Sequence, residues 1–151
     1  MKIAVASDHA AIEERLALVE HLRSRGHDVT DFGCEPGQSV DYPDYAALAA
    51  GAVAEGKADR AVLVCGTGIG ICMAAGKIDG VRAATIGDPW LAEMTRRHND
   101  ANVACFGARV HSAAAIQRMT DIFLETTFDG GRHTERVAKI MALETGQPVP
   151  S

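Results

Sequence analysis

The sequence predicts an α/β protein, a single three-layer α/β/α sandwich on a five-stranded parallel sheet, and three observations carry that prediction. Apolar strand-like runs alternate with segments of helical period along the whole chain. The strand candidates are mostly continuous apolar runs rather than polar–apolar alternations, as expected for strands covered on both faces. No internal repeat, low-complexity tract or linker divides the 151 residues. One domain over 1–151 therefore accounts for them, with a tail from about residue 145 expected to be loose.

Taken in order, Ile3 to Ala6 reads as a first strand. A helix follows with Ile12, Leu16, Val19 and Leu22 on its inner face, and Gly26 ends it. Asp28 to Phe32 alternates like a half-buried strand, and Gly33 to Ser39 reads as a loop. Asp41-Tyr42-Pro43 starts a second helix, with Tyr45, Leu48, Ala49 and Ala52 turned inward. Ala61 to Val64 is the most continuous strand candidate, broken by a glycine-rich turn before a helix through Met73 to Lys77. Val81 to Ile86 and Asn102 to Phe106 supply two more strands around a helix from Pro89 to His98. Ile116, Met119, Ile122 and Phe123 mark a further helix, and Val137, Ile140 and Met141 a last one.

A net charge of −5 argues against nucleic-acid or membrane-surface partners, both of which are anionic. An anionic ligand would need a local cluster of positive charge. No run approaches the roughly 20 apolar residues of a membrane span, and the N-terminus lacks a signal-peptide layout. The expectation is a cytoplasmic protein whose Cys34, Cys65, Cys72 and Cys105 are reduced. Three of the four read as small packing residues, Cys72 among them. The six histidines show no metal-ligand spacing, so neither metal nor cofactor is expected.

The turn Cys65-Gly66-Thr67-Gly68-Ile69-Gly70 carries the main chemical signal. It leaves the carboxyl end of a strand and enters a helix, where ligands gather in parallel sheets. Alternate glycines let backbone N–H groups converge on an anion or on an oxyanion formed during reaction. A dinucleotide fingerprint would need glycine at position 71, which is Ile71. Cys65 opens the turn as a candidate base or nucleophile, because a helix N-terminus favours a thiolate. A small strand-end packing residue is the alternative.

Other polar groups gather at predicted strand and helix ends. Ser7-Asp8-His9 ends the first strand and belongs to the same sheet edge as Cys65; it reads as a hydroxyl-binding pair or as a helix cap. His98-Asn99 reads as a proton donor with a neighbour, or as a solvated helix end. Arg109, Arg132 and Arg136 supply the positive cluster for a phosphate, with surface ion pairs as the alternative for each. His21 and His27 read as ordinary surface positions.

Together, Ser7-Asp8-His9, Asp41-Tyr42-Pro43-Asp44-Tyr45, Cys65 to Gly70, Gly80-Val81-Arg82-Ala83-Ala84, His98 to Asn102, Gly107-Ala108-Arg109 and Gly130-Gly131-Arg132-His133 with Arg136 resemble the type B ribose-5-phosphate isomerases. These group with galactose- and allose-6-phosphate isomerases. The resemblance runs from Met1 to about Leu143 and implies a Rossmann-like sandwich. It also implies a homodimer or dimer of dimers with active sites shared between subunits. By resemblance, Cys65 is the base, Gly66 to Gly70 (with Ile69) the anion hole, Thr67 a proton relay and His98 the acid that opens the furanose. Asp8, His9 and Asn99 would hold hydroxyls or the ring oxygen, and Arg109, Arg132 and Arg136 the phosphate. Ribose 5-phosphate is the expected substrate, with other phosphorylated aldoses or a non-catalytic sugar-phosphate binder as alternatives. Ala11 and Gly76 depart from the family's usual glycine and asparagine.

Overall fold

The structure is a computed structural model in which residues 1–146 are described. Five parallel strands form one sheet in the order β2-β1-β3-β5-β4. They are β1 (Lys2–Ser7), β2 (Asp28–Asp31), β3 (Arg60–Cys65), β4 (Ala83–Thr85) and β5 (Val103–Gly107). Among the described residues six α-helices accompany them: α1 (Ile12–Ser24), α2 (Tyr42–Ala54), α3 (Ile69–Ala75), α4 (Pro89–Asn99), α5 (Ala113–Glu125) and α6 (Arg132–Ala142). The three-layer sandwich read from the sequence is thus the observed architecture. The loose tail expected from about residue 145 falls, beyond Gly146, outside the described residues.

The central strands bury both faces because they lack a polar side. Ile3, Val5, Val62, Val64, Ala104 and Phe106 face one layer, where Leu18 and Leu22 of α1, Ala92 of α4 and Phe123 of α5 cover them. Ala4, Ala6, Leu63, Cys65, Val103 and Cys105 face the other, against Ala46, Ala49 and Ala50 of α2 and Ile71 of α3. Small alanines bring α2 close to the sheet. Alternation of side chains along each strand produces this division.

Several sequence expectations shift at this level. Leu16 is 47% exposed, and the core position on α1 belongs instead to Arg15, at i−3 and i−4 from Leu18 and Val19. Arg15 is buried because Asp31 pairs with it at 3.3 Å and because Gly33 has no side chain. A Cβ there would sit 1.3 Å from the guanidinium. Leu48 is likewise 51% exposed, since the inward face of α2 is made of alanines. Helix α3 begins at Ile69 rather than near Met73. Cys72 is half-buried and packs against the edge of the core. Ile140 is exposed, so the apolar side of α6 is only partly covered. Among the described residues no helix is long and apolar enough to cross a membrane.

Candidate active site

The site is set by where the crossover connections diverge. Helix α1 follows β1 onto one face of the sheet, while α3 follows β3 onto the other. A crevice opens between the carboxyl ends of these neighbouring strands, the position at which parallel α/β sheets bind ligands. Ser7 is in register with Val64, so the residues after each strand emerge side by side. Asp8, His9, Tyr42, Cys65, Gly66, Thr67, Ile69, Gly70 and Arg109 line one cleft of about 430 Å³ there.

Two close approaches shape the turn. A Cβ on Gly107 would lie 2.6 Å from the Thr67 backbone, and one on Gly68 2.7 Å from the Phe106 carbonyl carbon. Gly68 also has a φ of +79°, which suits glycine. The turn therefore lies directly on the end of β5, which in turn delivers Arg109 to the same place. The Arg109 guanidinium rests over Gly66, where a Cβ would come 3.1 Å from Nη1. The Tyr42 ring likewise occupies the space above Gly70.

Within the cleft, the Gly68 N–H donates to Cys65 Sγ at 3.1 Å, and the Ile69 N–H donates to Thr67 Oγ1 at 3.3 Å. Two backbone donors of the turn thus point at the thiol and hydroxyl that open it. Cys65 is 5% exposed. Asp8 caps the turn after β1, with Oδ1 accepting from the Ala10 N–H at 3.0 Å. His9 is pinned to the following loop through Nδ1, which lies 3.1 Å from the Val40 amide nitrogen and 3.0 Å from its carbonyl oxygen. Behind the cleft, the Cys72 thiol is pulled down to about 6, chiefly by its hydrogen bond with the buried Cys105 thiol and also by Thr85. Burial pushes Cys105 well up.

The remaining predicted residues do not join them. Helix α4 runs back from the end of β4 to the start of β5, so His98 and Asn99 lie at the amino edge of the sheet. A five-residue strand at about 3.3 Å per residue separates the two edges by roughly 15 Å. At the amino edge the His98 ring stacks on His133, with centroids 4.4 Å apart and planes 10° from parallel. Arg132 and Arg136 belong to the same helix as His133 and are exposed. The three arginines therefore do not cluster within one chain: Arg109 stands at one edge, Arg132 and Arg136 at the other.

Sequence reading assigned no role to Tyr42 or His133. Both lay inside recognised segments, but only their neighbours across the fold reveal them. Burial, reinforced by His98, Arg132 and Arg136, holds the His133 imidazole below its ordinary value, with Asp129 opposing. His21 is tied to Asp121 of α5 at 3.0 Å and is half-buried. Among the described residues no group of three His, Cys, Asp or Glu side chains is arranged to hold a metal ion.

Known proteins match this arrangement over nearly its whole length. The chain is 42% identical over 143 residues to ribose-5-phosphate isomerase B of Escherichia coli strain K12, covering 95% of this chain and 96% of the relative. It is 38% identical to a D-erythrulose-4-phosphate isomerase of Pectobacterium atrosepticum, covering 93% of both. Its structure superposes on that of Clostridium thermocellum ribose-5-phosphate isomerase B with a TM-score of 0.95 at 42% identity, covering 97% and 99% of the two chains. It also superposes on the Mycoplasma genitalium ribose-5-phosphate isomerase B with bound ribulose-5-phosphate, with a TM-score of 0.92 at 38% identity and 95% and 96% coverage. With residues 3–140 matching the family described as Ribose/Galactose Isomerase, the chain belongs to that family and is a sugar phosphate aldose–ketose isomerase.

Proposed function

We propose that this isomerase interconverts ribose 5-phosphate and ribulose 5-phosphate, in sites each completed by a second copy of the chain. The observation that carries this reading is the buried Cys65 thiol, held by the Gly68 N–H in a cleft that also contains Asp8, His9 and Arg109. Cys65 takes the proton from C2 of the open-chain aldose, and the electrons move to the aldehyde oxygen as an enediolate. The N–H groups of Gly66 to Gly70 stabilise that charge, an effect of roughly 2.7–4 kcal/mol for one donor in a comparable hole. Thr67 passes a proton between the two oxygens, and Cys65 returns its proton to C1.

Ribose 5-phosphate is mostly a closed ring, so an acid must first protonate the ring oxygen. His98 supplies that proton from the second copy, with Asn99 beside it. Asp8 and His9 hold hydroxyls. Arg109 of one copy and Arg132 and Arg136 of the other hold the phosphate. Sharing is favoured because the two groups stand at opposite sheet edges of one chain. Ile69 and Met73, one turn apart on α3, add exposed apolar surface beside the cleft. A two-fold dimer would use each edge twice, and a dimer of dimers would keep that pairing.

A tetrose phosphate is the second reading, favoured by 38% identity to the D-erythrulose-4-phosphate isomerase. Allose 6-phosphate and galactose 6-phosphate would need only a longer pocket. Ketose formation should be measured from each of these four aldose phosphates in parallel. Ribose 5-phosphate giving the highest kcat/KM supports the proposal, and a preference for another aldose phosphate moves the substrate. Turnover of none of them would overturn it.

A further inference from the structure

Helix ends in this molecule differ in how they turn. After α1 and α2 the chain reverses through glycine, at Gly26 with φ +85° and Gly56 with φ +73°. After α4 it reverses through Asp100, with φ 47° and ψ 40°. Asp100 is the one non-glycine residue with positive φ among the described residues. Glycine adopts that conformation freely, whereas a side chain is rarely found there.

The side chain at Asp100 is held by two guanidinium groups. Oδ1 forms an ion pair with Arg96 Nη1 at 2.8 Å, and Oδ2 accepts from Arg82 Nη2 at 3.1 Å. The Asp100 carbonyl accepts from Arg82 Nε at 2.8 Å. Arg96 is 3% exposed and lies over the Phe123 ring. It also donates to the Ala101 and Thr126 carbonyls at 2.5 and 3.3 Å. This knot joins the last turn of α4 to the starts of β4 and β5 and to the end of α5.

His98 and Asn99 are the two residues immediately before the knot. On the opposite side the same turn is held by the His98–His133 stack and by the Arg97–Asp129 pair at 3.1 Å. A helix end needing only to stop would be served by glycine, as α1 and α2 are. We infer that Asp100, clamped by Arg82 and Arg96, is a positioning residue that aims the His98 imidazole at the ring oxygen of the sugar in the second copy's site. This rests on the proposed role of His98 as ring-opening acid.

The test separates ring opening from proton transfer at carbon. Ribulose 5-phosphate has its fifth oxygen blocked by phosphate and cannot close to a furanose. Exchange of its C1 hydrogen with solvent deuterium therefore needs Cys65 but no ring-opening acid. His98→Ala serves as the reference and should slow turnover of ribose 5-phosphate by about a hundredfold or more, leaving exchange within about twofold. Asp100→Gly keeps the backbone conformation and removes the clamp. It should show the same split with a loss of roughly ten- to a hundredfold, the usual effect of a misplaced catalytic group. Asp100→Asn, which retains an acceptor oxygen, should fall between wild type and Asp100→Gly. It also carries the test if the glycine variant does not fold, as judged by circular dichroism. If the reference shows the split and the Asp100 variants lose both rates equally or neither, positioning is overturned and Asp100 is only structural. If His98→Ala shows no split, the acid assignment fails, and this inference with it.

Discussion

The carboxyl and amino edges of the sheet are built in opposite ways. At the carboxyl edge, backbone does the work. Gly107 and Gly68 let the turn lie on β5, and N–H groups point at Cys65 and Thr67. At the amino edge, side chains hold one another. His98 stacks on His133, and Arg82 and Arg96 clamp Asp100. Backbone donors suit a negative charge that develops at one place and cannot be allowed to move. Long side chains suit the proposed reach from one copy of the chain to the phosphate and ring oxygen in the site of another. On the proposed function, carbon chemistry belongs to the carboxyl edge, where Asp8, His9 and Arg109 also hold the sugar phosphate. The amino edge adds ring opening and two further phosphate arginines.

The largest effect should come from breaking the carboxyl edge. Cys65→Ala should lower both ribose 5-phosphate turnover and C1 exchange by about 10²–10⁴-fold, with the circular dichroism spectrum unchanged. Loss of turnover alone would move the base elsewhere. Next, Arg136→Ala should reduce kcat/KM by roughly ten- to a hundredfold through KM, the value of a charge-assisted hydrogen bond. Equal amounts of Cys65→Ala and Arg136→Ala chains, unfolded and refolded together, sharpen the comparison further. Random pairing makes about half the dimers mixed, each with one intact site, so about a quarter of wild-type activity should return. No recovery would show that each chain carries a whole site.

Gly107→Ala should act through packing. Its Cβ would meet the Thr67 backbone, which cannot turn aside as a side chain can. A loss of about 1–3 kcal/mol in denaturant unfolding is expected. Gly70→Ala should cost less, since it meets the partly exposed Tyr42 ring. Equal losses would mean that the turn is not held by β5.

The smallest effect belongs to His133. Its folded-state value is held below that of the unfolded chain, so the unfolded state binds the proton first as pH falls. Its contribution to stability should be complete above about 6.5 and decline as pH falls below it. His133→Gln should flatten that part of the Tm-against-pH curve. An unaltered slope would remove His133 as its cause.

Much of the carboxyl edge could be read directly. Ala61 to Val64 is apolar without interruption, and the following glycines mark a turn that only a strand-to-helix connection would need. Helix faces were less legible. Leu16 and Leu48 fit a helical period but are exposed, because Arg15 and four alanines take the inward positions once Asp31, Gly33 and the close packing of α2 are present. Tyr42 and His133 went unassigned because their roles depend on Gly70 and His98, more than 25 positions away in each case.

Alternating periodicity and local turn chemistry therefore specify the layers, the strand ends and the N–H groups around Cys65, since each depends on residues a few positions apart. Tertiary structure decides which strand ends meet and which cannot. It brings β1 beside β3, so that Asp8 and His9 join Cys65 in one cleft. It also runs α4 antiparallel to the strands, leaving His98 and its arginines at the far edge. That separation is a matter of strand order and helix direction in three dimensions, which no local pattern of residues encodes.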